Sequence, residues 1–182
     1  MSSPPETRLA EPADVEHVAD LTLRAYVGEG LLNPDDEYVA ELRDVAARRD
    51  GAEVWVAVCE HRVIGSVTFC PPGSTFRELA GNGEGEFRRL GVDPDVRGRG
   101  AGRALVERCL RRCRELGLRE IVLCSMPTMT AAHRLYESCG FVRDESLDWD
   151  VDAHLRLWGF RAVVPVTEPP RAGQPSAGVL RE

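Results

Sequence analysis

The chain has 182 residues, 43% of them hydrophobic and 29% charged, enough for one domain with a real core and unlike a low-complexity chain. Its net charge of −7 argues against a general nucleic-acid binder, and arginine carries all the positive charge because no lysine occurs. No apolar run approaches the length of a membrane span, and Met1 to Glu6 lack the basic start and apolar stretch of a signal peptide.

A cytoplasmic location away from membranes is the resulting expectation. The cysteines Cys59, Cys70, Cys109, Cys113, Cys124 and Cys139 form no CxxC pair and no Cys/His cluster at zinc spacing. Reduced thiols among apolar neighbours are expected, and no metal site.

In chain order, a short strand near Thr7–Ala10 precedes a helix opened by Pro12 and Asp14, with Val15, Val18, Leu21 and Ala25 on one face. A second helix is expected from Asn33, a capping residue, with Pro34 in its first turn and Asp35 and Asp36 at the positive helix end. Its stripe is Tyr38, Val39, Leu42, Val45 and Ala46, and Gly51 stops it. Glu53–Cys59 reads as a strand covered on both faces, turning at Glu60-His61-Arg62 into a second strand, Val63–Cys70. Pro71-Pro72-Gly73 ends that strand, and residues 73–85 form a glycine-rich loop.

Glu86–Val92 is the next strand. A glycine turn leads from it into a helix over Ala101–Leu116, with Leu105, Val106, Cys109, Leu110, Cys113 and Leu116 as its buried stripe. A short strand at Ile121–Ser125, a helix at Thr130–Ser138 and strands at Phe141–Arg143 and Leu155–Val164 follow. Residues 166–182, rich in Pro, Gly, Ala and Ser, are expected to be a disordered tail behind a domain at 6–165. This order gives a mixed α/β domain with helices on a largely antiparallel sheet.

The glycine turn carries the strongest chemical signal. Gly98, Gly100 and Gly102 alternate where a strand hands over to a helix, and the free N–H groups and dipole of a helix start favour an anion. Glycines let the backbone approach a bulky diphosphate, and Arg97, Arg99 and Arg103 add positive charge. A P-loop is excluded because it needs lysine, and the GxGxxG dinucleotide pattern fails because Arg103 stands at its last glycine. A tight turn with a solvated arginine face would need no ligand.

The stretch Arg97-Gly98-Arg99-Gly100-Ala101-Gly102 resembles the Gln/Arg-x-x-Gly-x-Gly/Ala signature of the GNAT superfamily of N-acetyltransferases, after a strand ending Leu90-Gly91-Val92-Asp93-Pro94. Ala131-Ala132-His133-Arg134-Leu135-Tyr136-Glu137-Ser138-Cys139-Gly140-Phe141 is similar to the family's second signature, a short helix ending Leu-Tyr-Glu-x-x-Gly-Phe. The two occur in the family's order and separation.

The resemblance implies a GNAT-type fold, a twisted, mostly antiparallel sheet of about seven strands flanked by about four helices. It implies that acetyl-CoA donates its acetyl group directly to a primary amine in a ternary complex, with no covalent acyl-enzyme. Leu90 and Val92 would offer main-chain contacts, the Val92 N–H polarising the thioester carbonyl, and residues Arg97, Gly98, Arg99, Gly100, Ala101, Gly102 and Arg103 would hold the pyrophosphate. The family splays two parallel strands to admit the cofactor, here Glu86–Val92 and Ile121–Ser125.

Tyr136 matches the proposed general acid, protonated at neutral pH with an ordinary pKa of about 10. It also lies on an apolar stripe with Ala132, Leu135 and Cys139, so a core role competes. Glu86 is the base candidate, with Glu84 a nearby competitor and a solvated carboxylate the plainer alternative. His133 reads as a surface helix residue and His61 as a turn residue, neither with a role. One departure is Met129, where the family often has an asparagine seven residues before the tyrosine; Thr128 or Thr130 could substitute.

The acceptor amine, free or on a peptide, is not identified by the sequence, and a homodimer is compatible with the reading. A non-catalytic acyl-CoA-binding module and an ATP- or NAD-binding protein are the competing functional classes.

Overall fold

The computed structural model describes residues 4–165, apart from 29 and 153. The expected disordered tail, 166–182, lies outside the described residues. The described residues form eight strands and five α-helices: β1 (Glu6–Leu9), α1 (Val15–Tyr26), α2 (Glu37–Arg43), α3 (Val45–Gly51), β2 (Glu53–Cys59), β3 (Arg62–Cys70), β4 (Glu84–Val92), α4 (Ala101–Glu115), β5 (Glu120–Ser125), α5 (Thr130–Ser138), β6 (Val142–Arg143), β7 (Trp149–Asp150) and β8 (Arg156–Val163). The count exceeds the expected seven strands and four helices by the two-residue β7 and by a division of the second helix.

That division has a local cause. The helix starts at Asp36, whose Oδ1 accepts the Tyr38 N–H at 2.9 Å, and not at Asn33. Asp44 leaves the helical region, with φ −78° and ψ 68°, and its Oδ1 accepts the Ala47 N–H at 2.9 Å. One aspartate thus ends α2 and caps α3. A continuous apolar stripe concealed the break, because capping chemistry at Asp44 outweighs periodicity there.

The sheet runs β1-β2-β3-β4-β5-β8-β6, with β7 also paired to β8. Glu60 (φ 50°) and His61 (φ 64°) turn β2 into β3 with the two positive φ values of a type I′ hairpin. All residues of β3 from Val63 to Cys70 are buried, as befits a central strand covered on both faces. On one face Val18 and Leu21 of α1 and Val45 of α3 pack on Val54, Val56 and Val63. On the other, Leu105, Cys109 and Cys113 of α4 and Tyr136 of α5 pack on Ile64, Phe69, Phe87, Ile121 and Leu123. The six cysteines are free thiols, with Cys70, Cys109 and Cys113 fully buried. No helix among the described residues is long and apolar enough to cross a membrane.

Two irregularities of β4 shape the centre of the molecule. The β4–β5 pairing, the one parallel pairing among the described strands, covers only Glu84–Glu86 against Glu120–Val122. Beyond Glu86 the strands part, while β5 stays paired to β8 as far as Ser125. The other irregularity is a bulge: the β3–β4 register shifts between Ser66 and Thr68, and Arg89 adopts φ 55°. The extra residue leaves Phe87 and Leu90 on the α4 side but turns Arg89 toward α2.

Candidate functional site

The fork between β4 and β5 exposes main chain. Asp93 N–H donates to Ile64 C=O at 2.9 Å, and Val92 stands opposite Gly65 in the same register. Antiparallel bonding alternates along a strand, so Val92 points its peptide groups away from β3, and Leu90, beyond the bulge, lies on the same face of β4 as Val92. The Val92 peptide groups face the edge that β5 has left.

Immediately after this edge the chain enters the glycine turn. A 3-10 turn at Pro94–Val96 leads to Gly98 and Gly100, both at φ 80°, in the left-handed region that glycine enters without penalty. A Cβ at either position would meet nothing within 4 Å, so backbone conformation selects glycine there, not crowding. Gly102 differs, since a Cβ would lie 3.0 Å from Leu135 Cδ2 and hold α4 away from α5. The first bond inside α4 runs from Ala104 N–H to Gly100 C=O at 2.9 Å. The N–H groups of Ala101, Gly102 and Arg103 therefore have no carbonyl within the helix, at its positive end. Arg97 and Arg99 are exposed beside them. Arg103 instead ties the two helices together, with Nη2 donating to Ser138 Oγ at 2.8 Å.

Asp93 fixes this turn to the body of the protein. Its fully buried carboxylate pairs with Arg24 of α1 at 2.9 Å and Arg62 at 2.7 Å, and accepts the Asp95 N–H at 3.1 Å. Burial works against its charge, but the Asp95 N–H and the two guanidiniums outweigh this and hold the carboxyl below its usual range. The sequence had shown Asp93 only as part of a turn.

Tyr136 is buried, with its ring 5.8 Å from both Phe87 and Phe160. Burial pushes its phenol upward, so it stays protonated. Its electrostatic neighbours include the Tyr26 phenol of α1, on the opposite face of the sheet.

Glu86, the last residue before the fork, is completely buried. Its Oε2 accepts the N–H groups of Glu78, Leu79 and Ala80 at 2.9–3.1 Å, anchoring the glycine-rich loop over β4. Its Oε1 has no hydrogen-bond partner among the described residues. Glu84 is engaged elsewhere, pairing with Arg161 and accepting the Gly81 N–H at 2.6 Å.

His133 is a correction: it is buried, not on the surface. Its Nε2 lies 3.2 Å from Ser125 Oγ and its ring 4.9 Å from that of Phe160. Desolvation lowers its pKa. The most buried line of α5 is His133 and Tyr136, a rotation of the expected stripe, because Trp158 and Phe160 of β8 lie beneath it. Met129, at the departure from the family pattern, accepts from Ser125 Oγ at 3.6 Å.

Arg48, Arg89, Tyr26 and Tyr38 also lie on the α1–α3 side; the sequence placed Tyr38 only in a helix stripe and gave none of the four a site role. The one available signal was Arg88-Arg89 inside an apolar strand, a violation of two-residue alternation that marks the bulge. Among the described residues no cluster of three or more His, Cys, Asp or Glu is placed to hold a metal ion.

Comparison with known proteins matches this architecture. A phosphinothricin acetyltransferase from Sinorhizobium meliloti, solved in complex with acetyl-CoA, superimposes with a TM-score of 0.65 over 95% of this chain and 97% of that one, at 22% identity. This likeness shows a shared fold. A mycothiol acetyltransferase of Geodermatophilus obscurus is 39% identical over 104 residues, 56% of this chain and 32% of that protein. An N-acetylaspartate synthetase of Xenopus tropicalis is 33% identical over 106 residues, 57% of this chain and 35% of that protein. The chain spans about a third of the length of these two curated relatives. The model of the acetyltransferase (GNAT) family matches residues 15–141, across both irregularities of β4, the glycine turn and α5. The chain belongs to the GNAT acetyltransferase family.

Proposed function

We propose that this protein is an acetyl-CoA-dependent N-acetyltransferase acting on a primary amine through a ternary complex. The observation that carries the reading is the fork: β4 leaves β5 after Glu86 and presents the peptide groups of Val92 beside an uncapped helix start. The chain's groups fit acetyl-CoA. Left-handed Gly98 and Gly100 open the turn, the N–H groups of Ala101, Gly102 and Arg103 lack helix carbonyls, and Arg97 and Arg99 stand beside them for a diphosphate.

Acetyl-CoA supplies the activated acetyl thioester. The Val92 N–H offers a preorganised hydrogen bond at the open edge, where oxygen charge develops during acyl transfer. Glu86 Oε1 accepts the proton that an alkylammonium must lose, directly or through water, while Oε2 keeps the carboxylate in place. Tyr136, held protonated by burial, donates a proton to the leaving sulfur.

A second reading, a non-catalytic acyl-CoA-binding module, draws on the structural work that both side chains already do. Glu86 anchors a loop, and Tyr136 fills an aromatic cluster. Acetyl-CoA with a panel of primary amines, read as free thiol, separates the two. Thiol release that depends on the amine is expected; tight binding without release would contradict catalysis. In the active protein Glu86→Gln, whose amide oxygen can still accept from the loop, is expected to lower kcat about 100-fold. Unchanged kcat would leave Glu86 as an anchor only.

A further inference from the structure

Arg48 and Arg89 are buried on the α1–α3 side with hydrogen-bonding capacity unmet. Arg48 is 1% exposed; its Nη1 donates to Thr68 Oγ1 at 3.1 Å and its Nη2 to Leu42 C=O at 2.8 Å. Both partners are neutral, and Nε has none among the described residues. Burial, with Arg89 nearby, pushes this guanidinium down to about 10, which still leaves it charged at neutral pH. Arg89 is 5% exposed; its Nε donates to Tyr38 Oη at 3.1 Å and its Nη2 to Glu41 Oε2 at 2.8 Å, while Nη1 has no partner among the described residues. Glu41 itself is 62% exposed, on the outer side of α2.

Arg48 thus has no carboxylate within hydrogen-bond distance and Arg89 has only the exposed Glu41, so a buried positive charge lacks a close partner. Such a charge is destabilising unless something brings an opposite one. The backbone adds a second sign, because Arg89 occupies the left-handed region at the β4 bulge, a strained conformation for a residue with a long side chain. The bulge is what turns Arg89 toward Arg48 and α2. Half-buried Tyr26 and Tyr38 flank the pair, and Tyr26 is in electrostatic range of Arg48, Arg89 and Tyr136. The two guanidiniums lie on the α2–α3 side of the sheet, and the proposed proton donor packs in the core on the α4 side.

We propose that Arg48 and Arg89 form an anion subsite for the acceptor, and that the acceptor is a small amine bearing a carboxylate, of the amino-acid class. The unpartnered Arg48 Nε–H and Arg89 Nη1–H can each donate to one carboxylate oxygen, which would give Arg48 the close anionic partner it lacks. Glu86 Oε1, which accepts no hydrogen bond among the described residues and has Arg88 Nε 3.9 Å away, is then the acceptor offered to the ammonium of the same molecule. The position of the amine rests on the N-acetyltransferase reading; the anion specificity rests on the guanidiniums alone.

The test is calorimetric titration of the CoA-loaded protein with the twenty amino acids, each beside its α-carboxamide, with thiol release from acetyl-CoA measured in parallel. At least one acid is expected to bind about 30-fold or more tightly than its amide, a margin that Arg89→Gln removes without changing affinity for CoA. Glu41→Gln, a surface change, should tighten the acid about 3- to 10-fold and leave the amide unaffected, because it removes a competing carboxylate. A merely structural Arg89–Glu41 pair would give no such gain. Acid and amide binding within twofold across the whole series would overturn the subsite. Acid-selective binding without thiol release would instead overturn the catalytic reading and leave the subsite standing.

Discussion

Tyr136 and Glu86 are each asked to do two things, and their environments show how. Tyr136 sits among Phe87, Phe141 and Phe160, so its ring is core while burial keeps its hydroxyl protonated. Tyr136→Phe retains the ring and removes the proton; kcat should fall about 10- to 100-fold with the affinity for acetyl-CoA unchanged. Unaltered kcat would assign the residue to packing. Asp93 makes a different prediction. Its partners Arg24 and Arg62 are 44% and 51% exposed, which screens the pairs, so Asp93→Asn should cost about 2 kcal/mol, less than a wholly buried pair. Because the folded carboxyl is held below its ordinary range, its contribution is complete above the unfolded value of about 4 and is lost as pH falls through the lower folded value. Denaturant midpoints of wild type and Asp93→Asn should therefore converge below about pH 4.

Among the elements, the legible ones were those whose signal is local. The β2–β3 hairpin, the glycine turn and the α4 stripe were readable, except Leu116, which lies just past the helix end and is exposed, because turn chemistry and helical periodicity act over a few residues. The α2–α3 break escaped because apolar spacing continues through Asp44, and only the bond from Ala47 N–H to its carboxylate shows that the helix restarts there. Asp44→Ala should cost about 1 kcal/mol in thermal or denaturant unfolding. The burial of His133 escaped because Trp158 and Phe160, which cover it, are distant in sequence. The bulge that aims Arg89 is likewise a property of pairing with β3, and no single strand announces its register. At the glycine turn, Gly98→Ala should raise the Kd for acetyl-CoA about tenfold, since a methyl group has room but the φ of 80° opposes it. An unchanged Kd would mean the turn does not touch the cofactor.

For the molecule as a whole, the decisive feature is a sheet that is continuous at both ends and open in the middle. Helices α1–α3 cover one face and α4–α5 the other, so the β4–β5 fork lies between two layers. On the proposed reading, the thioester would reach the fork from the α4 side and the amine from the α1–α3 side. Family and fold were legible from two short motifs in the right order. The acceptor side was not, because Arg48, Arg89, Tyr26 and Tyr38 are spread over four elements and converge only in space.

The most direct test of the central claim is calorimetric titration of acetyl-CoA, with ATP and NAD as controls, into wild type and Gly100→Glu. The account predicts micromolar binding of acetyl-CoA alone by wild type, and loss of about 100-fold or more in Gly100→Glu, where strain and a negative charge meet the diphosphate. Equal binding by both proteins, or binding of ATP or NAD in place of acetyl-CoA, would contradict it.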